Sequence, residues 1–414
     1  MRPILALLPL VFLLASAGGR AAPDEAALGK AQNYPVPASV AQGYQEPFLV
    51  GSFSARDTVG AHCDMAPAAQ PLPLAVGRSE PALRYRFSRR EFTLDDYMQH
   101  QRATAVLVLK DGEIVAERYN YDRTPAMRML SQSMAKTVVA LAIGQALEEG
   151  RIRSLDDTAA TYVPTLAGTL MGETRIIHLL RMASGARYVE DYSDSDDRFR
   201  FNAVARKSGL VAAARTLTER AEAAGQRFNY SSAQTEILGL VLQGATGQTL
   251  CQYVDTSIWQ AMGAESAATW LLNPADHLAL AAGGLNATVR DYARLGWLMA
   301  NDGQAQGRAV LPRGYLLDMT DASHQPEAFR PGQMQNKGST YYGYGLQTWI
   351  LPGAHRRFAL LGIHGQAVFV DPELKLVMVH TAVGKDAAGD ASGNHLGAER
   401  DALWRGVVAQ YGPW

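Results

Sequence analysis

Ser133 and Lys136 stand three residues apart at the start of a long apolar run, and together they have the makings of an activated nucleophile. A hydroxyl is a poor nucleophile at neutral pH and needs a base within hydrogen-bond reach. On a helix, residues three apart share a face, so the Lys136 amine can reach the Ser133 hydroxyl across one turn. Burial at that point desolvates the amine, which lowers its pKa and brings the neutral, basic form within reach. A chain of this length holds on the order of one Ser-x-x-Lys by chance. This one stands out because a polar pair opens an otherwise apolar helix, which packing does not explain, in a chain whose positive charge is mostly arginine.

Two other segments could complete such a site. Phe228-Asn-Tyr-Ser-Ser232 places a phenol beside small hydroxyls. It reads either as a turn and N-cap for a helix beginning near Ala233, or as the source of a proton-relaying tyrosine, Tyr230, whose pKa Lys136 would lower. Leu361-Gly-Ile-His-Gly-Gln366 carries glycine in strand-like sequence, a mark of close backbone approach by a ligand. That suits an oxyanion donor or a substrate-binding edge.

These residues need elements to hold them. Thr137 to Leu147 is apolar nearly all round, as expected of a helix buried in a core, and Gly150 ends it as the C′ residue. Its N-terminus favours negative charge developing near Ser133. Ala105–Leu109 and Glu113–Tyr119 flank Lys-Asp-Gly112 as a β-hairpin. Residues 155 to about 282 read as helical and loop-rich, including Ile176–Met182 and Thr235–Leu242. Thr288-Val-Arg-Asp291 is a capping box opening a helix to about Met299. Strands follow at Tyr344–Ile350, Ala367–Asp371 and Leu376–Ala382, then a terminal helix from Gly397 to Gln410. The order implies an α+β fold: an antiparallel sheet flanked by helices, with an all-helical subdomain (roughly 155–282) inserted and the active site between the two.

The rest of the chain bounds the setting. Met-Arg-Pro, an apolar stretch from Ile4 to Leu14 and Ala15-Ser-Ala17 form a secretory signal peptide over residues 1–22, which implies a secreted or periplasmic protein. The stretch is too short to span a bilayer, so no stable membrane anchor is expected. Residues 23–91 are rich in Pro, Ala and Gly and read as an irregular extension, leaving 92–414 as the domain proper. With a net charge of −1 and 19% charged residues over 414 positions, nothing points to a nucleic-acid partner. Cys63 and Cys251 leave a disulfide open, because sequence does not show whether their Cα atoms come within bridging distance. His62-Cys63-Asp64 reads as an ordinary loop. With no HExxH, CxxC, P-loop or GxGxxG after a strand, neither metal nor cofactor is expected. His178 and His380 lie in apolar runs and read as core or strand residues.

In this order, Ser133-x-x-Lys136, Asn-Tyr230-Ser and the Gly-Ile-His-Gly-Gln366 edge resemble the serine β-lactamase and penicillin-binding-protein superfamily over roughly residues 90 to 414. Ser-Leu-Asp-Asp157, His-Leu-Leu-Arg-Met-Ala-Ser-Gly185, Glu-Asp-Tyr192 and Gly-Gly-Leu-Asn-Ala-Thr288 narrow it to class C-like serine hydrolases, closest to the 6-aminohexanoate-dimer hydrolase group. The resemblance implies a β-lactamase/transpeptidase-like fold and a cofactor-free hydrolase acting on a small amide or ester. Ser133 would be the acylated nucleophile, Lys136 its base and Tyr230 the relay to the leaving group. The oxyanion hole would use the Ser133 and Ile363 N–H groups, and Tyr192, Ser232 and His364 would contact substrate. Two positions depart from the superfamily: Ser232 takes the Asn place of Tyr-x-Asn, and Leu361-Gly-Ile-His364 replaces the Lys-Thr-Gly that clamps a substrate carboxylate. A histidine is a weaker anion clamp than lysine, which counts against penicillin hydrolysis and DD-peptidase action, the alternative reactions; a non-catalytic ligand-binding relative is the other alternative.

Overall fold

The computed structural model describes residues 22–39, 41–334 and 341–414, so the signal-peptide expectation falls almost wholly outside the described residues. The expected hairpin forms at the centre of the molecule, as Ala103–Lys110 and Glu113–Tyr119. It joins an eight-stranded sheet in the order Gly343–Tyr344, Trp349–Ile350, Phe358–Leu361, Ala367–Asp371, Leu376–Ala382, Ala103–Lys110, Glu113–Tyr119, Ala75–Val76. Every pairing is antiparallel except the last, where Ala75–Val76 runs parallel to its neighbour.

Both faces of this sheet are covered, which explains why its central strands are apolar at successive positions. Leu107, Leu109, Val368 and Val377 point to one side and join the core containing the helix Val289–Ala300. Val106, Val108, Phe369 and Met378 point to the other, against Tyr97 and the terminal helix Leu396–Tyr411, where Trp404 stacks on Phe369 at 5.4 Å. The α+β class is thus as expected, with the helical region between Ala159 and Val254 lying beyond the first of these faces.

Three features differ from the reading of the sequence. Tyr344–Ile350 is not one strand but two short ones joined by a tight turn, with Gln347 at φ 54°. The buried Gln347 amide explains the break: it donates to the Leu179 and Leu180 carbonyls and accepts from Thr235, while its own carbonyl accepts from Thr137. A second sheet was not legible, in the order His62–Met65, Ala268–Leu271, Leu285–Thr288, Arg128–Leu130. His62-Cys63-Asp64 is therefore strand rather than loop. Cys63 is bonded to Cys251 with Cα atoms 6.4 Å apart, tying residues 62–65 to the short helix Leu250–Val254. Residues 22–90 also hold a buried helix, Leu49–Ala55, and the hairpin strand Arg84–Phe87. Among the described residues, no helix is long and apolar enough to cross a membrane.

Candidate active site

The strand Arg128–Leu130 delivers the chain to Ser133 through a forced turn. Gln132 adopts φ 47°, a left-handed conformation that costs a non-glycine residue about 1 to 3 kcal/mol and clusters at functional sites. A 3-10 turn, Gln132–Met134, runs into the helix Ala135–Glu148, which is buried on nearly every side. Ser133 thus lies where a helix leaves its first N–H groups without internal partners.

Lys136, only 2% exposed, extends back along that turn. Its Nζ donates to Ser133 Oγ at 2.9 Å and to the Ala282 carbonyl at 2.8 Å, and lies 5.2 Å from the centre of the Tyr230 ring. Burial lowers its pKa to about 8, against the opposing pull of Glu190 and Glu236. These carboxylates were not legible as site residues, though Glu236 interrupts an apolar helical run and Glu190 belongs to the Glu-Asp-Tyr192 match. Glu236 accepts from the Ala281 and Ala282 N–H groups, and burial pushes its pKa up to about 7. Glu190 accepts from the Ser232 N–H at 2.6 Å and Oγ at 2.7 Å, and burial raises its pKa as well.

That second pair of bonds corrects the N-cap reading of Asn-Tyr-Ser-Ser. The helix Ser232–Thr246 has Ser231 at its N-cap position with no side-chain cap bond, and Glu190 reaches in from a separate loop to do the capping. Tyr230 is held instead by aromatic packing, stacked on Trp349 at 5.8 Å. Burial, followed by Glu190, raises the pKa of its phenol, against a smaller downward pull from the nearby Ser133 hydroxyl. Lys136 therefore does not activate Tyr230 as expected; the phenol stays protonated and can only give a proton as it receives one.

The strand Phe358–Leu361 ends beside this turn. A Cβ on Gly362 would stand 2.6 Å from the Ser131 carbonyl, so the close approach that the glycine permits is to the turn that carries Ser133 rather than to a ligand. Ile363 follows in a short 3-10 turn. Among the described residues, neither its N–H nor that of Ser133 has a hydrogen-bond partner, which leaves both free for an oxyanion.

His364 does not contact substrate space. It is 5% exposed, packed against Phe53 at 5.2 Å and Tyr44 at 5.6 Å, and its Nδ1 is 2.7 Å from the Gly384 carbonyl. Burial lowers its pKa, and it lines neither cavity described below. The residue has a positive φ of 58°, and its ring lies against the N-terminal extension. His380 is a buried strand residue, bonding Tyr97 and the Gly365 carbonyl, whereas His178 is only half-buried, on the short helix Ile176–Leu180 rather than in the core.

Two cavities meet at Ser133. The larger, about 840 Å³, is lined by Tyr230, Trp349, Gly362 and Arg400 among others. The smaller, about 270 Å³, runs toward Ser232, Glu236, Arg198 and Arg206, with Phe53 and Arg56 of the N-terminal extension on its far wall. Glu190, Tyr192 and Ile363 border both. Tyr192 adopts φ 65°, its N–H held by Asp196, with Arg198 5.3 Å from its ring.

The sequence profile of the beta-lactamase family matches residues 91–401. The 6-aminohexanoate-dimer hydrolase of Paenarthrobacter ureafaciens is 28% identical over 297 residues, 69% of this chain and 74% of that one. A solved Bacillus anthracis protein, provisionally named a 6-aminohexanoate-dimer hydrolase, superposes with a TM-score of 0.74 at 23% identity, over 87% of this chain and 95% of the other. EstCE1, described as a hydrolase with promiscuous acyltransferase activity, gives a TM-score of 0.56 at 17% identity, over 75% and 96%. Ser133, Lys136, Tyr230, Ile363 and both carboxylates lie within the matched span, and the chain belongs to the beta-lactamase family of serine hydrolases.

Proposed function

We propose that this protein is a secreted or periplasmic hydrolase that cleaves a small linear amide or carboxylic ester through an acyl-enzyme on Ser133. The observation that carries this reading is the Lys136 amine, buried with its pKa lowered to about 8 and 2.9 Å from Ser133 Oγ. In its neutral form Lys136 takes the hydroxyl proton as Oγ bonds to the carbonyl carbon. The carbonyl oxygen gains the negative charge and is received by the Ser133 and Ile363 N–H groups. Tyr230 gives its proton to the departing nitrogen or oxygen as that bond breaks, and regains one from the Lys136 ammonium. Water then attacks the acyl carbon; its proton passes through the same groups, and the product acid leaves with Ser133 restored.

The 6-aminohexanoate-dimer hydrolase relative favours a linear amide as first choice. A buried, uncharged His364 offers no cation at the sheet edge, which weighs against the penicillin and cell-wall reactions. The apolar leader with its Ala15-Ser-Ala17 cleavage signature and the Cys63–Cys251 bridge support an oxidising, extracytoplasmic location. Steady-state hydrolysis of linear amides and p-nitrophenyl esters by wild type and Ser133→Ala tests the reading. Turnover in wild type alone is expected, and equal turnover by the two proteins would overturn it.

A further inference from the structure

The smaller cavity has an unusual wall. Arg198, Asn202, Ala205 and Arg206 lie along one face of the helix Asp197–Ser208 and all line it. Arg56 faces them from the turn after the helix Leu49–Ala55. Arg198 has a carboxylate at hand, Asp196 at 3.6 Å. Arg56 and Arg206 do not: among the described residues neither guanidinium is within ion-pair distance of an acid, and Arg56 makes one bond, to the Ser39 carbonyl at 3.3 Å. The residues outside the described set include no Asp or Glu. Arg56 is half-buried, and the two arginines are close enough to repel each other. The cavity's own acids are engaged elsewhere, Glu190 with Ser232 and Glu236 with the Ala281 and Ala282 N–H groups. Arg206 is exposed and Arg56 half-buried, so the pair stands at the open side of the cavity with neither guanidinium paired to one of its acids; an anion entering there would meet both, and guanidinium is well suited to a carboxylate.

The cavity's place relative to Ser133 says which part of the substrate brings it. Tyr230, which protonates the leaving group, lines the larger cavity and not the smaller. The leaving group therefore departs into the larger cavity, and the acyl portion enters the smaller, past apolar walls that include Leu130, Leu210, Leu271 and Phe53. Resting on the acyl-enzyme reading above, we propose that the smaller cavity is an acyl-chain subsite in which Arg56 and Arg206 hold a terminal carboxylate, so that preferred substrates are amides or esters of an aliphatic dicarboxylic acid. Arg56 lies outside the family-matched span, so this selectivity is supplied by the N-terminal extension.

The test compares the mono-p-nitrophenyl ester of adipic acid with p-nitrophenyl hexanoate. Wild type is expected to favour the anionic ester by about tenfold or more in kcat/KM, chiefly through KM. Arg56→Met/Arg206→Met is expected to bring that ratio close to one, and Arg56→Lys/Arg206→Lys to retain part of it. An unchanged ratio in the methionine variant, or no preference in wild type, would overturn the subsite. Calorimetric titration of adipate into Ser133→Ala reads the subsite without turnover. Binding lost on adding the two methionine substitutions supports it; no binding, or binding that persists, overturns it. Ester hydrolysis undiminished in Ser133→Ala would instead strike the acyl-enzyme reading and leave the calorimetry to decide the subsite.

Discussion

Lys136 is an expensive residue whose cost has a purpose. Its pKa falls from 10.5 to about 8 because burial penalises the ammonium, a shift equivalent to about 3 kcal/mol. A base with that pKa is about one-tenth neutral at pH 7, so kcat/KM should rise roughly tenfold per pH unit below 8 and level off above it. Glu190 holds the Lys136 pKa up, so Glu190→Gln should move this limb to lower pH in the kcat/KM profile; a limb that stays put would remove Glu190 from the site's electrostatics. The same shift has a stability sign. The folded pKa lies below the unfolded one, so the unfolded chain binds more protons between about pH 8 and 10.5, and wild-type stability rises through that window. Lys136→Met should be inactive yet more stable than wild type at pH 7 by on the order of 1 kcal/mol, the lost hydrogen bonds to Ser133 and Ala282 offsetting part of the gain. That advantage should shrink as pH rises toward 10.5, as thermal unfolding of both proteins across pH 7 to 10 would show.

At the scale of elements, the site depends on two segments lying unusually close. Gly362→Ala would place a Cβ 2.6 Å from the Ser131 carbonyl, so the strand Phe358–Leu361 must retreat and carry the Ile363 N–H with it. Loss of one oxyanion donor typically lowers kcat by 10² to 10³, and a fall of about that size, with an unchanged far-ultraviolet circular dichroism spectrum, is expected. Activity within twofold of wild type would exclude Ile363 from the oxyanion hole. Ser133 and Lys136 could be read as a candidate pair from their spacing at the head of an apolar helix, whereas Tyr230 was left open by its segment and Ile363 entered only through the family resemblance; the structure brings all four to one place. His364 was misjudged because its ring packs on Tyr44 and Phe53 of the N-terminal extension, a long-range contact that leaves no periodic trace. Glu190 and Arg56 were missed because long-range folding brings their loops to the site, and local periodicity is silent about such contacts. The second sheet escaped for the same reason, its strands being only three or four residues long and drawn from residues 62, 128, 268 and 285 onward.

Over the whole molecule, the N-terminal extension does more than wrap the domain. It supplies one strand to each of the two main sheets, the far wall of the smaller cavity and one half of the disulfide. The bridge closes a loop of 188 residues; breaking it with Cys63→Ala/Cys251→Ala should cost about 2 to 4 kcal/mol in denaturant unfolding. An unchanged midpoint would mean that the extension is held by packing alone. All of these roles converge on a single claim, that Ser133 is a nucleophile activated by its surroundings. Intact-mass analysis of the protein after treatment with a fluorophosphonate addresses that claim without knowledge of the substrate. One adduct per chain is expected on wild type and none on Ser133→Ala, with the rate of labelling rising as pH passes through 8; the same labelling of both proteins, or of neither, would contradict the account.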